Sequence, residues 1–326
     1  MMRSLDKSAS PIPVTLVSGF LGSGKTTLLN RILNGDHGHR IAVMVNDFGA
    51  INIDSQLIVS AEQNMVSLAN GCICCTVESD LIEQLHNLLQ LHEGPPELIL
   101  IETSGVSDPA RVVHTLGYPR FRKQLAIDAV ITLLDAEQFS SLEGDMAQLA
   151  MSQLAAADIV IINKTDLASE AQMQQLKEQW LFPRARAYET QFADIPLELL
   201  LGVDHFAGRK QAPETVHCAS ADCVHPTHDH DSLFTTFSWD SDQLLSLGTL
   251  RRALQQLPAN IYRAKGFVYL KEAPEQRCTV HLVGTRLEIK KSTAWDERKP
   301  GNQLVMIGWG HVDKNALALT LNSCVA

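Results

Sequence analysis

The sequence predicts a doubly wound, mostly parallel α/β domain followed by a smaller α+β domain. Three observations predict it. Over the first two-thirds of the chain, short apolar runs rich in β-branched residues alternate with helix-length segments. This is the pattern of parallel strands covered on both faces and joined by right-handed crossovers. Near Asp204 the composition changes abruptly. Beyond that break come several strand-like runs and two helical ones, the content of an α+β domain.

The elements follow in order. "VTLVSGF" (14–20) is a buried strand, and a helix is expected from Lys25 to Leu33. "RIAVMVND" (40–47) is a second strand, and "DLIEQLHNLLQL" (80–91) has helical periodicity. Three more strands are "ELILIET" (97–103), "IDAVITLLD" (127–135) and "DIVIINK" (158–164), with helices expected over 147–157 and 169–180. Residues 12–204 thus form the first domain. Residues 205–231 lack hydrophobic periodicity and are rich in His, Asp, Ala and Pro, which reads as a flexible linker. Residues 232–326 hold the strands "SLFTTFSWD", "IYRAKGFVYL", "RCTVHLVG", "TRLEIKK" and "QLVMIGW". A helix over 241–257 and a last one at the end of the chain complete this domain, both on one face.

Composition narrows the class. With 45% hydrophobic and 20% charged residues the chain is an ordinary globular protein. A formal net charge of −10 argues against general nucleic-acid binding, which needs basic surface. No apolar run reaches the ~18 residues of a membrane span, and no apolar signal segment precedes the first strand. A cytoplasmic location, where thiols stay reduced, is expected. The seven cysteines are odd in number and three are nearly adjacent, which does not resemble a disulfide framework.

"GFLGSGKTT" (Gly19 to Thr27) fits G-x-x-x-x-G-K-[ST] between a predicted strand and a predicted helix. Gly19, Gly22 and Gly24 let backbone N–H groups curl round phosphates. Ser23 lies within the curl, and Thr27 in the first turn of the helix, whose N-terminus adds positive potential. Lys25 would reach the β- and γ-phosphates, and the Thr26 hydroxyl would bind Mg²⁺. "LILIETSG" ends a strand on Glu102, suited to the metal or its water, with Gly105 placed to touch the γ-phosphate. "NKTD" (Asn163, Lys164, Thr165, Asp166) ends another strand. A carboxylate such as Asp166 accepts from both N1–H and the 2-amino group of guanine, where adenine offers neither donor. GTP is therefore favoured over ATP. A kinase-like phosphoryl transferase is disfavoured by the same motif.

"LANGCICCTVESD" (68–80) packs Cys72, Cys74 and Cys75 after an Asn70-Gly71 turn signal. Three thiolates can supply three sulfurs to a soft or borderline metal such as Zn²⁺ and leave one tetrahedral position open, which suits metal transfer. A redox C-x-C pair and buried small hydrophobes are the alternatives. The loop falls in the interval that γ-phosphate and Mg²⁺ order in nucleotide switches, so metal and nucleotide would be read by one moving element. Asp47 and Asp54 flank "FGAINI" and either assist Mg²⁺ and water or are solvated acids. In the linker, His217, His225, His228 and His230 with Cys218 and Cys223 either capture metal loosely or are simply solvated. Arg263, Lys265 and Trp295, in polar segments near predicted strand ends, either contact a client or the GTPase domain or only solvate and cap the second domain.

Taken with "NDFG" at 46–49, "IETSG" at 101–105 and "RAKGFVYL" at 263–270, these motifs resemble the CobW-type metallochaperone GTPases, which are similar to the HypB and UreG maturation GTPases. The resemblance spans nearly the whole chain. It implies a P-loop GTPase domain of low intrinsic rate that binds zinc or cobalt and delivers it to a client protein. Members usually carry Glu where this chain has Asp47, and often a second Glu where it has Ala50, so the fourth metal ligand and the choice of metal stay open. A metal buffer or sensor whose GTP only sets conformation is the alternative function. Pairing of two copies across their nucleotide faces is a further expectation from related switches.

Overall fold

The computed structural model describes residues 11–35, 40–45, 65–67, 78–90, 95–201, 234–295 and 299–326. It divides into two compact units, 1–195 and 196–326. The division falls upstream of the composition break at Asp204.

In the first unit the strands are β1 (Ile12–Gly19), β2 (Ile41–Val45), β3 (Met65–Ser67), β4 (Leu98–Glu102), β5 (Leu125–Asp135), β6 (Ile159–Asn163) and β7 (Ala187–Glu189). The helices are α1 (Lys25–Asn34), α2 (Glu78–Leu89), α3 (Pro109–Leu116), α4 (Gly144–Ala155) and α5 (Glu170–Gln179). The sheet has the order β3-β2-β4-β1-β5-β6-β7, and every pair is parallel. The expected doubly wound α/β architecture is therefore present. Burial explains it: β1, β2, β4 and β6 are apolar nearly end to end because helices cover both faces. One core joins Leu16, Met44 and Ile101 to Leu85 and Leu88 of α2 and Leu116 of α3. Another joins Leu134 and Ile162 to Leu154 of α4 and Leu176 of α5.

α3 has no counterpart in the sequence expectation, although its start signal is plain. Asp108 accepts from the Ala110 N–H and Pro109 opens the helix. α5 starts on a capping box formed by Ser169 and Gln172.

The second unit contains α6 (Leu197–Leu201), β8 (Phe234–Ser241), α7 (Leu247–Gln255), β9 (Ile261–Val268), β10 (Gln276–Val283), β11 (Arg286–Ala294), β12 (Asn302–Trp309) and α8 (Lys314–Asn322). Its five strands run in the order β11-β10-β9-β12-β8 with antiparallel neighbours throughout. Alternate residues such as Trp239, Val268, Val280 and Leu304 join Leu250 and Leu254 of α7 and Leu321 of α8 in one core. The helix expected over 241–257 begins only at Leu247. The preceding residues are taken by tertiary pairing: the Leu245 N–H donates to the Tyr269 carbonyl and the Leu245 carbonyl accepts from Lys271. Arg263 is 1% exposed and donates through Nη1 to the Leu200 carbonyl at 3.1 Å, in the last turn of α6. It is thus an internal cap for a helix C-terminus, not a solvating side chain.

Candidate nucleotide site

The parallel sheet brings the carboxyl ends of β1, β4, β5 and β6 together. Val17 lies beside Glu102, Gly19 beside Leu133, and Asp135 beside Asn163. Loops leaving these ends meet where α/β sheets bind ligands.

The phosphate loop leaves β1 at Gly19 and enters α1 at Lys25. Its N-cap is Gly24, at φ +104°, and no side chain caps the helix. The first-turn N–H groups therefore lack the side-chain acceptor that α3 and α5 possess, and phosphate oxygens can take that role. Gly24 is also required sterically, because a Cβ there would meet Nδ2 of Asn163 at 2.4 Å. Lys25 is 7% exposed and its ammonium donates to the Phe20 carbonyl at 3.1 Å, across the loop. Gly22, at φ +76°, faces open space, Ser23 is buried and Thr27 exposed.

Thr26 donates from Oγ1 to Glu102 Oε1 at 3.3 Å, and Glu102 is 2% exposed. A hydroxyl and a carboxylate thus converge at the foot of the loop, a pair of hard oxygen donors. Gly105 packs against the loop so closely that a Cβ would meet the Leu21 N at 2.8 Å. Gln153 of α4, buried, fixes this segment by donating to the carbonyls of Gly105 and Ser107, each at 3.1 Å.

The four residues after β6 divide their labour. Asn163 is buried: its Nδ2 donates to the Ser23 carbonyl at 2.9 Å, and its Oδ1 accepts from the Ala193 N–H at 2.8 Å. The amide thus ties the phosphate loop to the 190–194 loop. Lys164, at φ +60°, pairs with Asp135 at 2.7 Å. Thr165 donates to the Thr190 carbonyl at 3.2 Å, and Asp166 is exposed. The 190–194 loop carries Phe192 and Ala193 both at φ +53°, and Arg31 of α1 holds it through the Phe192 carbonyl and Asp194.

The structure therefore brings together Gly19, Gly22, Ser23, Gly24, Lys25, Thr26, Thr27, Glu102, Gly105, Asn163, Lys164 and Asp166. Sequence reasoning missed Asp135, Gln153 and Arg31. Asp135 ends a strand just as Glu102 does, so its signal was present. Gln153 and Arg31 act through tertiary contacts that no local pattern announces. Asp47, Asp54, Cys72, Cys74, Cys75, His225, His228 and His230 lie outside the described residues, as do His217, Cys218 and Cys223. Among the described residues no group of three or more His, Cys, Asp or Glu is placed to hold a metal. Cys278 and Cys324 are buried, and burial pushes both thiols up from their ordinary range, which keeps them protonated core residues. No described helix is long and apolar enough to cross a membrane.

Residues 13–187 match the family model described as CobW/HypB/UreG, nucleotide-binding domain. The chain belongs to this family. Residues 234–325 match the cobalamin synthesis protein CobW C-terminal domain, so both units carry the CobW pattern. Curated CobW-type relatives match along most of their lengths. The zinc chaperone CobW of Pseudomonas aeruginosa is 33% identical over 370 residues, covering 98% of this chain and 93% of that protein. The zinc chaperone YjiA of Escherichia coli is 30% identical over 307 residues, covering 92% and 94%. The zinc-regulated GTPase metalloprotein activator 1 of Dictyostelium discoideum is 26% identical over 380 residues, covering 96% and 80%. The first unit is accordingly a P-loop GTPase fold, and the CobW-type GTPase resemblance drawn from its motifs holds.

Proposed function

We propose that this chain is a GTP-hydrolysing metallochaperone that carries Zn²⁺ on Cys72, Cys74 and Cys75 and couples GTP state to its delivery to a client protein. The observation that carries the nucleotide half is the Asn163 amide. It locks the uncapped start of α1, with Lys25, to the loop beside the exposed Asp166. Phosphate and base are thereby bound to one rigid frame, which is what positioning for phosphoryl transfer requires. Lys25 exchanges the Phe20 carbonyl for phosphate oxygens, and Asp166 accepts from guanine. In this reading Glu102 and Gly105 sense the γ-phosphate and Asp47 positions the attacking water. Thr26 and Glu102 would hold Mg²⁺, directly or through water, which when bound neutralises charge on the β- and γ-phosphates.

The names of the relatives support zinc as cargo, and the C-x-C-C spacing suits a thiophilic ion with one open position. Asp54, His225, His228 and His230 are the proposed accessory ligands, and Co²⁺ is the alternative cargo. The test is stopped-flow release of zinc from the loaded chain to a chelating dye. Release that follows addition of GTP·Mg²⁺, and fails with GDP or a non-hydrolysable analogue, is the expected result. Equal release with no nucleotide would instead identify a metal buffer.

A further inference from the structure

The second unit has a cleft of about 610 Å³, lined by residues of that unit. Its floor is the sheet face opposite α7 and α8. Strand alternation puts Trp239, Val268, Cys278 and Leu304 into the core, so Asp240, Phe267, Arg277 and Gln303 point the other way. Register sets three of them in a row, Gln303 being paired with Phe267 on one side and with Asp240 on the other, while Arg277 lies two residues along β10 from Thr279, the partner of Phe267. The Arg277 guanidinium lies over the Phe267 ring, 3.8 Å from its centroid. Trp295 closes one side, fixed by its Nε1–H to the Pro274 carbonyl.

The charges in this row are unequal in their pairing. Lys299 is neutralised by Asp242. Arg277 has no carboxylate partner among the described residues, and its Nε–H is buried without an acceptor. A half-buried donor of that kind calls for an incoming acceptor, and a carboxylate matches a guanidinium in geometry and charge. At the opposite end Asp240 is exposed and has no cation partner among the described residues. From the guanidinium over Phe267 on β9 to Asp240 on β8 the row crosses two strand spacings, about 10 Å, which an acidic and a basic side chain two to four residues apart on one face of an extended segment can bridge.

We propose that this cleft binds an extended peptide segment of a partner protein, with an acidic side chain on Arg277 and a basic one two to four residues along on Asp240. Phe267 and Trp295 give the intervening residues an apolar floor and wall. A phosphate dianion suits the cleft less well, since Asp240 and Asp242 would repel its second charge. Occupancy requires neither nucleotide nor zinc.

The experiment uses the full chain labelled with 5-fluorotryptophan and a fluorescein-tagged peptide, Gly-Glu-Val-Thr-Val-Lys-Gly. Anisotropy reports binding, and the ¹⁹F resonance of Trp295 reports its location. The expected result is saturable binding with a shift of that resonance. Arg277→Gln should weaken binding at least tenfold, and Arg277→Lys less. Arg277→Glu should bind the peptide whose Glu is replaced by Lys, a charge-swap rescue that a merely structural role would not produce. A Trp295 signal unmoved at millimolar peptide would overturn the proposal. So would affinity indifferent to Arg277→Gln, or displacement by equimolar inorganic phosphate.

Discussion

The seven parallel strands of the first unit and the five antiparallel strands of the second present their chemistry in different places. Parallel strands all end on one edge, so the loops after β1, β4, β5 and β6 converge and the functional groups are loop and strand-end residues. Antiparallel neighbours end at opposite edges, so the second sheet has no single edge where all its strands finish. The second unit instead offers a sheet face, on which side chains from neighbouring strands form a row. On the proposals above, backbone N–H groups together with the Lys25 and Asp166 side chains meet the nucleotide in one unit, and a row of side chains meets a peptide in the other. Substitutions should therefore fail differently in the two units.

The largest effect should come from Lys25→Ala. Removing a positioned cation from developing phosphate charge should cost about 10²–10³ in kcat for GTP, measured by phosphate release. Calorimetry run in parallel separates this loss from a folding defect, since the Lys25 ammonium also holds the Phe20 carbonyl across the loop. Asp166→Asn comes next. It replaces an acceptor for two charge-assisted hydrogen bonds, each worth about 1.5–3 kcal/mol, so GTP affinity should fall at least about 10²-fold. Affinity for xanthosine triphosphate, which has an oxo group in place of the 2-amino group, should rise in a competition assay.

Asn163→Ala should affect both fold and function. The Ser23 carbonyl and Ala193 N–H lose their buried partner, a loss of about 2–3 kcal/mol. Calorimetry should show the first unit melting lower, and GTP affinity should drop about tenfold as the two loops part. In the second unit Arg263→Met should lower the melting temperature of that unit alone, by a loss of about 1–2 kcal/mol, and leave GTP turnover unchanged.

The smallest effect is on pH dependence. Burial raises the folded-state thiols of Cys278 and Cys324 above their ordinary range. The stability this represents is present below the unfolded thiol value, about 8.5, and is lost as pH rises past it. The alkaline decline in thermal stability should be shallower in the Cys278→Ala/Cys324→Ala variant. If that variant declines as steeply as the parent, these thiols are not the groups responsible.

Local chemistry was legible in the sequence, and tertiary chemistry was not. The glycines and Lys25 of the phosphate loop declare themselves because one turn must supply the whole anion cradle. Glu102 and Asp166 were readable as strand-end acids, and Asp135 carried the same signal unread. Asn163 was read as a nucleotide ligand, whereas its amide is occupied in joining two loops. That role depends on residues 140 and 30 positions away in the chain. α3 went unread because eight residues give a weak period, despite Asp108 and Pro109 at its start. α7 was begun too early because the leucines before it look helical, while Leu245 is claimed by pairing with Tyr269 and Lys271. Arg263 looked like a surface cation until α6 supplied the carbonyl it caps.

The most direct measurement is a Zn²⁺ and Co²⁺ titration of the reduced chain with GTP·Mg²⁺, with GDP and without nucleotide. Cobalt–thiolate charge-transfer absorbance is the readout, and the control is a Cys72→Ser/Cys74→Ser/Cys75→Ser variant. The expected result is a metal affinity that changes with nucleotide and disappears in the triple variant, with an equal and reciprocal change in GTP affinity on metal binding. An affinity indifferent to nucleotide, or one that survives the triple substitution, would contradict the coupling of GTP state to metal on these cysteines.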